Sequence, residues 1–167
     1  MIKILLLCIL CFLIIFIAYK LGLYYKQRQA FFENLCEFCN YIKAEIGFLK
    51  TDVTTSIAKF NNSSSNDFSK ILSLYLTMLK QSQNFYDDFM TGLNKFNLLK
   101  NNEKERICSF FDSLGKSGQQ EQVAQIENFK NDFNVELNNT KDDNKKYGAL
   151  PLKLGILLSF AVFIVFI

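Results

Sequence analysis

Residues 4–19 read ILLLCILCFLIIFIAY, and residues 154–167 read LGILLSFAVFIVFI. Neither stretch carries a charge, and neither has a polar face on a helix. A surface helix of a small domain needs such a face. Sixteen residues of helix rise about 24 Å, and the apolar character resumes past Lys20 through Leu21 to Tyr25. The second run rises about 21 Å, or about 27 Å when counted back to Leu150 with Lys153 snorkelling to the headgroups. A bilayer core is about 30 Å thick, so both are short but workable spans. The expected lipid-facing anchors are Ile4, Leu7, Leu10, Phe12 and Ile15 in the first run, and Leu157, Phe160, Phe163 and Phe166 in the second.

Each run has a rival reading. The first, preceded by Lys3, has the short apolar core of a signal peptide. A small-x-small cleavage site is missing, because Ala18 is followed by Tyr19, Lys20 and Leu21. The second has the length of a buried core helix. Its uninterrupted apolar character favours the membrane. Lys20, Lys26 and Arg28 follow the first span, and Lys141, Lys145, Lys146 and Lys153 precede the second, whereas the outer ends offer Lys3. The positive-inside rule then puts the intervening domain in the cytoplasm. The expected layout is a membrane helix over residues 1–25, a cytoplasmic domain over 26–148 and a second membrane helix over 149–167.

Between the spans the chain reads as helix. Pro occurs once and Gly seven times in 167 residues, so breakers are scarce. Phe31, Leu35, Phe38, Ile42, Ile46 and Leu49 recur every three or four residues, one face of a helix continuing from the first span. Asn61 to Asn66 is a loop by composition. Phe68, Ile71, Leu72, Tyr75, Leu76 and Leu79 mark a further helix, and Phe85, Phe89, Leu93 and Phe96 another. Asn102 with Glu105 has capping-box spacing and opens a helix burying Ile107, Phe110, Phe111 and Leu114. Gly115 suits the left-handed position that ends it. Ser117 with Gln120 is a second such box, opening a helix that buries Val123, Ile126, Phe129, Phe133 and Leu137. Gly148 and Pro151 interrupt the chain before the second span. The fold class is all-α: an antiparallel bundle of about six helices between two terminal transmembrane helices.

Composition argues against several functions. Nineteen basic against sixteen acidic residues, net +3, is too balanced for a nucleic-acid partner. The chain has no His, the commonest general base and metal ligand. Leu114-Gly115-Lys116-Ser117 imitates the end of a phosphate-binding loop, but the pattern requires Gly at position 110, which is Phe110. Cys36 and Cys39 lie one helical turn apart without a second ligand pair, since Cys8 and Cys11 fall in the first apolar run. They read as buried, inert thiols. Asp87, Asp88, Asp112, Asp142 and Asp143 have no partner base and read as a solvated face. We therefore expect no enzyme activity, no catalytic residues, no metal and no cofactor.

Three stretches carry a family resemblance. Phe111-Asp112-Ser113-Leu114-Gly115-Lys116-Ser117-Gly118, followed by Gln122 and Ile126, resembles the helix–Gly–helix corner of the stage III sporulation protein AB family of endospore formers. Ala44 to Thr51 is similar to that family's Glu-Ile-x-Tyr-x-x-Thr-Pro-Leu stretch, with Thr51-Asp52-Val53 replacing Thr-Pro-Leu. Asp52 can still cap the next helix there. Lys146-Tyr147, leading through Leu154-Gly155 into the terminal apolar run, is the third match, and Pro151 departs from the pattern.

The resemblance implies a non-enzymatic scaffold in the channel complex between mother cell and forespore. Its domain would be similar to the cytoplasmic bundles of the platform protein of type II secretion. It implies as partners a cytoplasmic secretion-type ATPase, the other membrane proteins of the channel and membrane lipid, and it leaves a homo-oligomer open. It implies the outer forespore membrane as location, with the domain in the mother-cell cytoplasm. Phe111, Leu114, Gly115, Ser117, Gln122 and Ile126 become the candidate interaction corner. The alternative is a membrane-tethered adaptor or sensor unrelated to secretion.

Overall fold

A computed structural model describes residues 2–49, 52–63, 67–82 and 84–166. The elements in chain order are α1 (Ile2–Ala44), a π-helical turn (Glu45–Leu49), α2 (Val53–Ser63), α3 (Asp67–Gln81), α4 (Phe85–Leu93), α5 (Asn101–Ser113), α6 (Gln119–Tyr147) and α7 (Leu150–Phe166). No strand occurs among the described residues. The all-α class and the long apolar helices at the two ends are as the periodicity predicts. The chain divides into two compact units. One comprises residues 1–30 with 138–167, the other residues 31–137.

The second unit is a bundle built on aromatic packing. Its core takes Phe31, Leu35, Phe38 and Ile42 from α1, Ile46 from the π-helical turn, Phe68, Ile71, Leu72 and Tyr75 from α3, and Ile107, Phe110 and Phe111 from α5. Phe38 is fully enclosed, with ring centroids of Phe60, Phe68, Phe110 and Phe111 at 5.2, 5.5, 6.2 and 5.9 Å. These approaches are mostly edge-on or tilted, the arrangement favoured by ring quadrupoles. The abundance of Phe thus has a structural use: large rings from several helices meet in one centre. Truncating Phe38 to Ala would cost about 3–5 kcal/mol in transfer and cavity energy.

In the first unit the N-terminal part of α1 packs antiparallel to α7, small residue against small residue. A Cβ added at Gly155 would lie 2.5 Å from the Cβ of Ala18, so the helices approach as closely as glycine permits. Ser159 Oγ donates to the carbonyls of Gly155 and Cys11 at 2.8 and 3.3 Å. Its polar atom is therefore satisfied inside an apolar pair, as a hydrocarbon surrounding would demand. Pro151 sits in the first turn of α7, where no backbone N–H is needed.

Several local expectations change. The helix expected to open at Asn102 starts at Asn101, and the backbone N–H of Lys100 donates to Glu103 at 2.7 Å. The helix before the Asn/Ser-rich segment continues to Ser63, while Ser64 to Asn66 lie outside the described residues, as do Lys50 and Thr51. Leu49 and Leu79 are exposed rather than in the core. Phe96 lies beyond the end of α4 and packs on the core from a turn. Asp52 does cap α2, accepting from the backbone N–H of Thr54 at 3.1 Å and Thr55 at 3.3 Å.

Candidate functional site

The Gly115 corner begins where α5 runs out of helical backbone. Leu114 is extended (φ −65°, ψ 127°), and its N–H returns to the Phe111 carbonyl at 3.3 Å. Gly115 then takes φ +80°, the left-handed conformation expected of it. A Cβ there would meet little besides Val53 Cγ2 at 4.0 Å. Glycine is therefore required for its backbone torsion, not for space.

The next helix departs from expectation. It opens at Gln119, and Gly118 supplies the first carbonyl, bonded by Gln122 N–H at 2.8 Å. Ser117 is not the cap. Its hydroxyl lies 3.4 Å from Gln125 Oε1, one side chain bridging to another. The Ser117–Gln120 capping box is thus replaced by a glycine start one residue further on. A Ser-x-x-Gln spacing identifies a candidate cap without fixing where the chain turns.

The motif residues separate by role. Phe111 and Ile126 are in the core, with the Phe111 ring 4.9 Å from Tyr75 and 5.4 Å from Phe89. Leu114 seals the end of the core. Gln122 is only 5% exposed, and its Nε2 finds no hydrogen-bond partner among the described residues. A buried amide left unpaired is costly and uncommon.

A neighbour absent from the motif supplies the connection. Gln119 donates its side-chain N–H groups to the carbonyls of Ile46 and Gly47, both at 3.0 Å. Those carbonyls belong to the π-helical turn, whose wider register leaves end groups unsatisfied. The same widening rotates the apolar face. Ile46 stays buried, while Phe48 turns outward at 87% exposure with Leu49 beside it. A shallow groove of about 320 Å³ runs between Phe48, Gly47, Lys43, Gln119, Gln120 and Val123. No local spacing encodes the bond from Gln119 to Ile46 and Gly47, because it spans more than seventy residues of sequence.

Charge below the groove is consumed internally. Glu127 lies 2.6 Å from Lys43 and 3.3 Å from Lys130, tying α6 to α1. Its hydrogen bond from Lys43, then that from Lys130, holds its carboxyl below the usual range. Lys116 pairs with Asp112 on the exposed surface, so the lysine of the phosphate-loop imitation is bound to its own helix. Asp87 and Asp88 accept from Asn84 and Ser82 at 2.5 Å each, structuring the start of α4. Cys36 and Cys39 are buried; desolvation pushes the Cys39 thiol far up, and burial pushes Cys108 up to about 11. Such thiols are poor nucleophiles and poor ligands. Among the described residues, no three His, Cys, Asp or Glu side chains cluster to hold a metal.

The expected anchors lie on the helix pair of the first unit. Leu10, Phe12, Leu157, Phe160 and Phe166 are exposed, and Ile15 and Phe163 are half-buried. Leu7 differs: it is turned into protein at 9% exposure. The Ile4 side chain lies outside the described residues. Among the described residues, two stretches are long and apolar enough to cross a membrane, and little of the apolar part of either is covered by protein.

The family model for stage III sporulation protein AB matches residues 3–167. No curated protein matches the chain, and no solved structure does.

Proposed function

The chain belongs to the stage III sporulation protein AB family, and from that premise we propose that it is a non-enzymatic membrane scaffold of the channel complex between mother cell and forespore. The observation that carries this reading is the division of labour among its residues. The terminal helices leave many of their apolar side chains uncovered, while Asp52 of the bundle caps a helix and Glu127 and Asp112 form ion pairs. Nothing in that inventory serves turnover; it serves position. Both apolar helices cross the outer forespore membrane, and the bundle works in the mother-cell cytoplasm. There, in this reading, it couples a secretion-type ATPase to the channel.

The contact face is the Gly115 corner with Phe48. An aromatic side chain 87% exposed on a helical bundle leaves an apolar face in water, the kind of residue that anchors an interface when a partner covers it. The test is affinity capture of the tagged full-length protein from sporulating cells, with wild type, Phe48→Ser and Glu121→Lys compared. The expected result is recovery of the ATPase and channel subunits with wild type, reduced at least tenfold by Phe48→Ser. Capture of an unrelated signalling partner in place of channel subunits would favour the adaptor reading instead.

A further inference from the structure

Charge is distributed unequally between the two units. Residues 1–30 carry three Lys and one Arg with no Asp or Glu, and residues 138–167 carry four Lys and two Asp. That unit therefore has six positive charges in excess. The whole chain has a net charge of +3, so residues 31–137 carry a net of three negative charges. The balanced total conceals a strongly basic membrane unit.

The fold gathers that excess at one end of the helix pair. Tyr25 lies against Tyr147 with ring centroids 5.8 Å apart. Asn144 Nδ2 donates to Gln29 Oε1 at 2.7 Å. A Cβ added to Gly22 would meet the Gly148 carbonyl oxygen at 2.5 Å. These contacts set residues 20–29 beside residues 141–153, although more than a hundred residues separate them in sequence. Lys20, Lys26, Lys141, Lys145, Lys146 and Lys153, all exposed, thereby belong to one collar. Lys3 lies with Leu6, Leu7, Leu10 and Phe166 at the opposite end of the pair.

The collar has two further properties. It sits directly beyond the uncovered apolar surfaces of both helices, which continue through Tyr19 and Leu21 on one side and Leu154 and Leu157 on the other. It also holds Tyr19, Tyr24, Tyr25 and Tyr147, the aromatic residues that favour the headgroup level of a bilayer. Asp142 and Asp143 offset only part of the charge.

We propose that this collar is a binding surface for anionic phospholipid, joining a phosphate-bearing headgroup to the lysines and its acyl chains to the adjoining apolar helices. A soluble anion would satisfy the charge alone, and an acidic protein would leave the contiguous apolar surface uncovered. Only a lipid with a negative headgroup matches both halves. Each basic residue at a membrane surface contributes roughly fivefold in affinity at modest salt, so even a few acting together select among lipids. The surface is composite: neither terminal segment alone holds all of the charge. The proposal rests on the reading that both apolar helices span the membrane.

The test uses the full-length chain, purified and reconstituted into bilayers of phosphatidylcholine with phosphatidylglycerol as the minor lipid. The lipids that co-purify on re-extraction are measured. The wild type should enrich phosphatidylglycerol at least roughly threefold over the bulk bilayer, with the enrichment falling as salt screens the collar. The variant Lys20→Gln, Lys26→Gln, Lys145→Gln, Lys146→Gln should lose it while keeping its helical circular dichroism. Lys59→Gln with Lys80→Gln, exposed lysines of the bundle, should keep it. Bulk-like lipid around the wild type, or undiminished enrichment around the collar variant, overturns the proposal. An alkaline carbonate wash of the same bilayers separates the two failures. Retention of the protein without enrichment refutes the collar alone, whereas release refutes the spanning reading and the collar with it.

Discussion

The side-chain amide of Gln119 lies 3.0 Å from the carbonyl oxygen of Ile46, so the first residue of α6 closes the last turn of the helix that begins the chain. The contact spans 73 residues and is duplicated at Gly47. It joins two of the three sequence stretches that carry the family resemblance, Ala44 to Thr51 and Phe111 to Ile126. The corner and the π-helical turn are therefore one structure, and Phe48 is displayed by both.

Gln119→Ala should remove both bonds and leave two carbonyls to water. Each hydrogen bond contributes about 0.5–1.5 kcal/mol net, and partial exposure favours the lower end. The expected outcome is a fall of several degrees in Tm by circular dichroism in detergent. Glu121→Lys, close by in the same turn and exposed, should leave Tm nearly unchanged. Equal Tm for Gln119→Ala and wild type would show that the turn holds itself.

Gly115→Ala should cost about 1 kcal/mol from the positive φ alone, because the space around a Cβ is open. Gly115→Asn should cost less, since Asn tolerates the left-handed region better. A denaturant midpoint series on the three proteins checks the order. An Ala variant as stable as wild type would mean that the corner adopts another backbone at no cost.

Asp52 carries an acid dependence whose sign follows from its cap. The Thr54 hydroxyl, and then the backbone N–H groups of Thr55, Thr54 and Val53, hold its carboxyl below the ordinary value of 3.8. A depressed folded value contributes stability that is present above the unfolded value and lost as pH falls through the folded one. The advantage of wild type over Asp52→Asn should therefore be constant near neutrality and shrink from about pH 4 downward. Melting both proteins across that range tests it; a gap that widens in acid would reverse the sign.

Gly155→Leu should force α7 away from α1, because even a Cβ there reaches 2.5 Å from that of Ala18. Oxidative cross-linking between Cys11 and a Ser159→Cys substitution reads the separation directly, since Cys11 Sγ already lies 3.5 Å from the Ser159 carbonyl. Cross-linking should be efficient while Gly155 is retained and fall severalfold when Gly155→Leu is added. Unchanged efficiency would show that the pair does not depend on small-residue contact.

Much of this protein follows from short-range pattern. Helices, apolar spans, the positive φ at Gly115 and the Asp52 cap depend on residues within one or two turns, where spacing and side-chain chemistry act directly. The tertiary structure alone decided the rest. The π-helical turn breaks the three-and-four spacing by widening the helix, which sends Leu49 out of the core. Ser117 turns to Gln125 instead of capping, and α6 opens at Gln119, whose side chain reaches Ile46 and Gly47, contacts that the local Ser-x-x-Gln spacing does not encode. The meeting of Lys20 and Lys26 with Lys145 and Lys146 depends on helices distant in sequence lying side by side. A periodic pattern tells each helix which face to bury; which partner covers that face is decided only when all the faces compete for one core.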